Sequence, residues 1–223
     1  MVQPDVWKEL SAWCNTKNIT LVAVSKTKPV EDILALYELG QRDFGENYVQ
    51  ELLSKHEQLP ADIRWHFLGH LQTNKVKYIA PFVHLIHAID SSKLLQEVAK
   101  HAQKLGRCID VLLQMHIANE DTKFGMDETQ IEACVQWYKE QPWADQSIRV
   151  CGLMGMASFT ENTEQVRQEF LQLTQCFHKL KQTYFEDNAS FTVCSIGMSG
   201  DYEIAAAVGG NMIRIGSMLF GKR

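Results

Sequence analysis

The chain has 223 residues, of which 45% are hydrophobic and 22% charged, with 13 Gly and 5 Pro. These fractions exclude disorder, collagen-like repeats and low-complexity architecture, and the length suffices to bury a sizeable core. With 22 basic against 27 acidic residues the formal net charge is −5, which argues against broad nucleic-acid binding, because that needs a basic face to displace counterions.

Residues 1–10 (MVQPDVWKEL) lack the basic start and apolar core of a secretion signal. No run approaches the roughly 18 apolar residues that cross a bilayer. A soluble, cytoplasmic protein without a membrane partner is expected. The six cysteines, Cys14, Cys108, Cys134, Cys151, Cys176 and Cys194, are separated by 94, 26, 17, 25 and 18 positions. No Cys-x-x-Cys pair or zinc-ribbon spacing results, so reduced thiols are expected. A first amphipathic segment, 5–17, puts Val6, Leu10, Trp13 and Cys14 on one helical face.

From there, short β-branched runs alternate with helical spacing. The strands are expected at 19–25, 43–44, 63–68, 83–89, 109–116, 148–154, 191–196 and 212–215. Between them, in 91–105 for instance, Leu94, Leu95, Val98, Ala102 and Leu105 recur at spacings of three and four. Boundary residues agree: Pro29 opens a helix that Gly40 follows, Ser91 caps one that ends at Gly106, and Asp127 with Gln130 has capping-box spacing. Eight strands, seven of them followed by a helix, imply a parallel sheet closed into one (β/α)8 TIM-type barrel over 1–223. The chain stops too soon after the eighth strand for a full last helix, and the extra N-terminal helix can cover that gap.

In such a barrel, functional groups sit where strands end. In LVAVSK the period of two puts Val22, Val24 and Lys26 on one face. Burial at the mouth would lower the amine pKa, as a Schiff-base lysine requires; alternatively Lys26 and Lys28 are solvated loop lysines. Residues 195–200 (SIGMSG) and 213–217 (IRIGS) are strand-to-Gly-to-hydroxyl segments after strands seven and eight, where barrels of this kind bind phosphate. Read plainly, each is a glycine-containing turn. Arg214 shares a face with Gly216, and a buried guanidinium needs an anion or a strong acceptor. Glu46 or Asp201 could supply it, or an aromatic cofactor nitrogen lying across the mouth.

Glu46 and Asn47 follow strand two, while His66, Gly69, His70, Gln72 and Asn74 surround strand three. His66 and His70 would pair on a metal only on a helix, so their strand position argues against it and no metal site is expected. His87 and His116 read as hydrogen-bonded packing residues, and Met154 and Met156 as core filler. Dinucleotide, Walker and Gly-x-Ser-x-Gly motifs are absent.

Five segments carry a resemblance. Lys26 in VAVSKTKPVEDI, 44–51 as FGENYVQE, 65–75 as WHFLGHLQTNK, 152–156 as GLMGM, and 195–223 as SIGMSGDYEIAAAVGGNMIRIGSMLFGKR resemble the pyridoxal phosphate homeostasis protein family. They run in order from the first strand to the last residue. That family is similar to the N-terminal barrel domain of alanine racemase without its β-rich second domain. The resemblance implies that Lys26 forms a Schiff base with pyridoxal 5′-phosphate, that Ser199, Gly216 and Ser217 hold the phosphate, that Arg214 faces the pyridine nitrogen, and that Asn47 stands in the pocket wall. Ser217 replaces a usual threonine, and Gly155 and Asn211 are atypical. A carrier or buffer of the cofactor is implied, serving apo-enzymes that receive it, with no catalytic residues of its own; a barrel without a partner domain leaves a monomer as the expectation. The alternatives are an amino-acid racemase and a barrel enzyme using Lys26 on a phosphorylated sugar. Lys28, Lys75 and Lys123 are the competing lysines.

Overall fold

The computed structural model describes residues 2–119 and 124–221. Eight parallel strands pair in chain order and close on themselves: β1 (Thr20–Val24), β2 (Asp43–Glu46), β3 (Arg64–Phe67), β4 (Leu85–Ile89), β5 (Ile109–Gln114), β6 (Ile148–Met154), β7 (Val193–Ser195) and β8 (Met212–Ile215). Closure is made by β1 against β8, with Val22 opposite Arg214. Around the barrel run α1 (Pro4–Thr16), α2 (Val30–Glu38), α3 (Val49–Gln58), α4 (Val76–Ile79), α5 (Ser92–Leu105), α6 (Glu128–Lys139), α7 (Thr163–Tyr184), α8 (Tyr202–Ala207) and α9 (Ser217–Phe220).

The local signals act as expected. The Ser91 hydroxyl accepts from the Leu94 N–H, and Gly106 ends α5 at φ 61°, where a Cβ would be strained. Both halves of the Asp127–Gln130 capping box are present. The N-terminal helix buries Leu10 and Cys14 and is tied to the final turn by the Gln3 N–H donating to the Leu219 carbonyl at 2.8 Å. It therefore compensates for the four-residue α9.

The second strand is longer than its sequence indicates, extending through Gly45 to Glu46. A side chain at Gly45 would overlap that of Leu68 and crowd that of Val22. Glycine there marks close packing rather than the end of the strand. Most of the core lies between the strands and the helices. A smaller cluster, including Val22, Leu85, Ala88, Leu112, Cys151 and Met154, fills the barrel. That interior also buries His66, His87, Ser195 and Arg214. Among the described residues no helix is long and apolar enough to cross a membrane.

Candidate functional site

The C-terminal ends of the strands surround a cavity of about 560 Å³, within the size range of small-ligand sites. Lys26, Asn47, Ser199, Arg214, Gly216 and Ser217, all singled out in the sequence, line it together; Met156, Phe159 and Thr160 also line it.

Lys26 is half-buried and occupies a tight turn after β1, closed by the Lys28 N–H donating to the Ser25 carbonyl at 3.0 Å. The next residue, Thr27, has φ 64°, an unfavourable conformation for a β-branched residue. Its N–H donates to Glu51 Oε1 at 2.6 Å, which holds the turn. Lys28 is no solvated loop lysine: its Nζ donates to the carbonyls of Phe220 and Gly221 at 3.0 and 3.2 Å. Of the two neighbouring lysines, only Lys26 lines the cavity. Lys75 does not line it, and Lys123 lies outside the described residues.

Beneath this turn is an ion cluster that sequence reasoning missed. Glu46 is fully buried and accepts at Oε1 from Ser25 Oγ (2.6 Å) and Lys55 Nζ (2.7 Å). Lys55, 5% exposed, also donates to the Ser25 carbonyl at 2.8 Å and to Glu51 Oε1 at 2.6 Å. Burial pushes the Glu46 carboxyl above its usual range despite the opposing Lys55 charge. Glu51 and Lys55 are an i, i+4 pair on α3; from sequence such a pair reads as surface decoration. Glu46 is therefore committed to Lys55 and Ser25, and does not serve as the partner considered for Arg214.

Arg214, 5% exposed, donates from Nη1 to the Ser195 carbonyl (2.6 Å) and Ser195 Oγ (2.7 Å), and from Nη2 to the Gly155 carbonyl (2.8 Å). Burial lowers its pKa to about 10, against the opposing effect of Asp201, so it remains cationic at neutral pH. Its acceptors are thus neutral oxygens, with Asp201 acting through its charge. The atypical Gly155 and Asn211 now have reasons. A side chain at Gly155 would overlap Leu173. Asn211 accepts from the Cys194 N–H at 2.8 Å and donates to the Thr192 carbonyl at 2.6 Å, joining β7 to the approach to β8.

Ser199 and Ser217 present hydroxyls from the loops after β7 and β8. The first loop is set by the Met198 N–H donating to Asp201 Oδ1 at 2.5 Å. At Gly216 a Cβ would stand 3.3 Å from the Val24 carbonyl, so only glycine leaves the backbone bare without crowding β1. A side chain at Gly69 would overlap the backbone of Asn47, so that glycine lets the β3 loop seat Asn47 in the wall.

The histidines separate. His66 is buried with Nε2 3.0 Å from Asp43, while His70 faces Asp90 and stacks on Phe124. The pair is not brought together. His87 is fully buried and hydrogen-bonded, as expected of a packing residue.

The alanine racemase N-terminal domain family matches residues 6–223. A pyridoxal phosphate homeostasis protein of Aquifex aeolicus is 39% identical over 204 residues, covering 91% of this chain and 86% of that protein. The solved structure of PipY from Synechococcus elongatus with PLP bound superposes with a TM-score of 0.84 at 32% identity, covering 97% of this chain and 100% of that one. An alanine racemase from Bartonella henselae gives a TM-score of 0.70 at 14% identity, covering 100% of this chain but 61% of its own. That last likeness shows the barrel fold alone.

Proposed function

The chain belongs to the pyridoxal phosphate homeostasis protein family, and from that premise we propose that it binds pyridoxal 5′-phosphate in the barrel-mouth cavity and carries or buffers it. In this reading it works as a cytoplasmic monomer and passes the cofactor to apo-enzymes. The observation that carries the proposal is the convergence of the six expected residues on one cavity of suitable size.

The donor set suits the group. An amine, two hydroxyls, a bare glycine backbone and a buried guanidinium face one space. Pyridoxal phosphate supplies an aldehyde for attachment to an amine, and a ring that withdraws electrons well only when its nitrogen is protonated. Lys26 Nζ is the attachment point, held by the turn that Glu51 braces. The hydroxyls of Ser199 and Ser217, with the backbone at Gly216, hold the phosphate. Asn47 forms the wall. Arg214 directs a fixed cation at the ring nitrogen and opposes its protonation, which disfavours carbanion chemistry.

Racemisation is the competing reading. It needs proton donors on both faces of the substrate, and a well-placed second acid–base group is worth roughly 10²–10⁴-fold. Among the described residues lining the cavity there is no tyrosine, no histidine and no second lysine, and the carboxylate of Asp201 is engaged by the Met198 N–H. Relatives named pyridoxal phosphate homeostasis proteins, and the PLP bound in PipY, support the carrier reading. The test mixes the loaded protein with an apo-form enzyme that needs the cofactor, beside a chiral assay on alanine and other amino acids. Reactivation without racemisation is expected; turnover of any amino acid at about 1 s⁻¹ or faster would defeat the proposal.

The phosphate assignment has its own expected result. A hydrogen bond to a charged group contributes roughly 1.5–3 kcal/mol. The double variant Ser199→Ala/Ser217→Ala should therefore bind pyridoxal phosphate at least tens-fold more weakly, yet bind unphosphorylated pyridoxal as before. Equal losses for both ligands, measured by titration of absorbance, would place the serines in folding or ring positioning instead.

A further inference from the structure

Beneath Arg214 a continuous line of buried polar groups crosses the barrel. Ser195 Oγ on β7 accepts from Arg214 Nη1 at 2.7 Å and lies 3.1 Å from His87 Nδ1 on β4. His87 Nε2 is 2.9 Å from His66 Nδ1 on β3, and His66 Nε2 is 3.0 Å from Asp43 Oδ1 at the start of β2. Asp43 closes the line by pairing with Arg64 through two guanidinium N–H groups. Arg214, Ser195, His87, His66 and Asp43 are all at most 9% exposed. Burying five polar groups in a barrel core is costly unless each is satisfied.

The two ends determine the links between them. Burial raises the Asp43 carboxyl, but the hydrogen bonds from Arg64 and His66 and the charge of Arg64 outweigh that and hold it well below the usual carboxylate range. An ionised carboxylate only accepts, so His66 must donate from Nε2. At the other end Ser195 Oγ already accepts from Arg214 Nη1, so its one proton is left for His87 Nδ1, and His87 donates from Nε2. The His66 Nδ1 lone pair is then the acceptor for His87 Nε2–H. His87 is held neutral by burial, with the charge of Arg214 adding to the effect. A neutral His87 that donates from Nε2 accepts at Nδ1, so the Ser195 hydroxyl donates to it. Its oxygen lone pairs are thereby turned toward Arg214.

We propose that Asp43, His66, His87 and Ser195 are positioning residues: a one-way hydrogen-bond relay that runs from the opposite face of the barrel and fixes the guanidinium of Arg214 against the cofactor site. The proposal rests on the pyridoxal phosphate reading only for what Arg214 faces. His84, edge-on to His66, also brings a ligand atom within 4.8 Å of Asp43 and His66. A cation there would meet Arg64 and the His66 N–H, so the relay accounts for the cluster better than a metal does.

Two measurements test it. Nitrogen-15 NMR of the protein without cofactor should show both His66 and His87 protonated on Nε2. Asp43→Asn removes the obligatory acceptor at the far end, and His87, two links away, should become a tautomer mixture; Ser195→Ala, at the near end, should free it likewise. Pyridoxal phosphate affinity should fall about tenfold in Ser195→Ala, roughly the worth of one hydrogen bond, and recover in Ser195→Thr. His87 protonated on Nδ1 in the parent protein overturns the relay. So does a His87 tautomer unchanged in every variant that folds, or full affinity in Ser195→Ala. Parent protein with the expected tautomers but no cofactor binding would sink the proposed function and leave the relay standing.

Discussion

Replacing Lys26 by alanine is expected to abolish covalent attachment of pyridoxal phosphate. Borohydride reduction of the loaded parent protein should fix a pyridoxyl group on the peptide containing Lys26, and the variant should carry none. The geometry explains why no neighbour substitutes. Lys28 is held by the carbonyls of Phe220 and Gly221, and neither Lys28 nor Lys75 lines the cavity. The brace on the turn runs through the Thr27 backbone to Glu51, so the fold should survive the substitution. The proposed phosphate contacts should also survive, and the variant should keep weakened, reversible binding without the absorbance of an attached cofactor. Mapping the label chiefly to Lys28, Lys75 or Lys123 in the parent protein would move the attachment point elsewhere.

Lys55→Met should cost more stability than any other substitution considered. It leaves the fully buried Glu46 carboxylate without its cation and beside Glu51. Breaking a buried pair from one side typically costs about 3–5 kcal/mol. The pH dependence follows from the direction of the Glu46 shift. Its folded pKa already lies above the ordinary value of 4.5, and removing Lys55 raises it further. A carboxyl shifted upward contributes stability that is present below its unfolded pKa and lost as pH rises through its folded pKa. The deficit of Lys55→Met should therefore be largest near neutrality and shrink in acid. Urea unfolding at pH 5 and pH 8 measures this. A deficit that is equal at both, or larger in acid, would mean that Glu46 is not the group left unpaired. Glu46→Gln in the same background should recover part of the loss at pH 8, because it removes the stranded charge.

Much of the molecule is legible in the sequence because its determinants are local. Period-two strands, period-three-and-four helices, the Ser91 cap, the Asp127–Gln130 box and Gly106 each act within four residues, and together they specify eight strands, seven of them followed by a helix. The barrel rule that function collects at strand ends points to Lys26, Arg214 and the segments 195–200 and 213–217, and the family resemblance selects Asn47, Ser199, Gly216 and Ser217 among the strand-end residues. The partners of those residues are another matter. Glu46 meets Lys55 across the β2–α3 junction, Arg214 finds the carbonyl of Gly155, 59 positions away, and Ser195 reaches His87 across 108 positions. Such pairs depend on strand register and on which side chains point into a closed barrel, and no local pattern encodes either. The sequence by itself determined the barrel and pointed to its strand-end face and Lys26 as the candidate site. Only the tertiary structure decided how the Lys26 turn is braced and what holds the buried arginine, because a buried charge is satisfied by whatever closure brings within 3 Å, however distant in the chain.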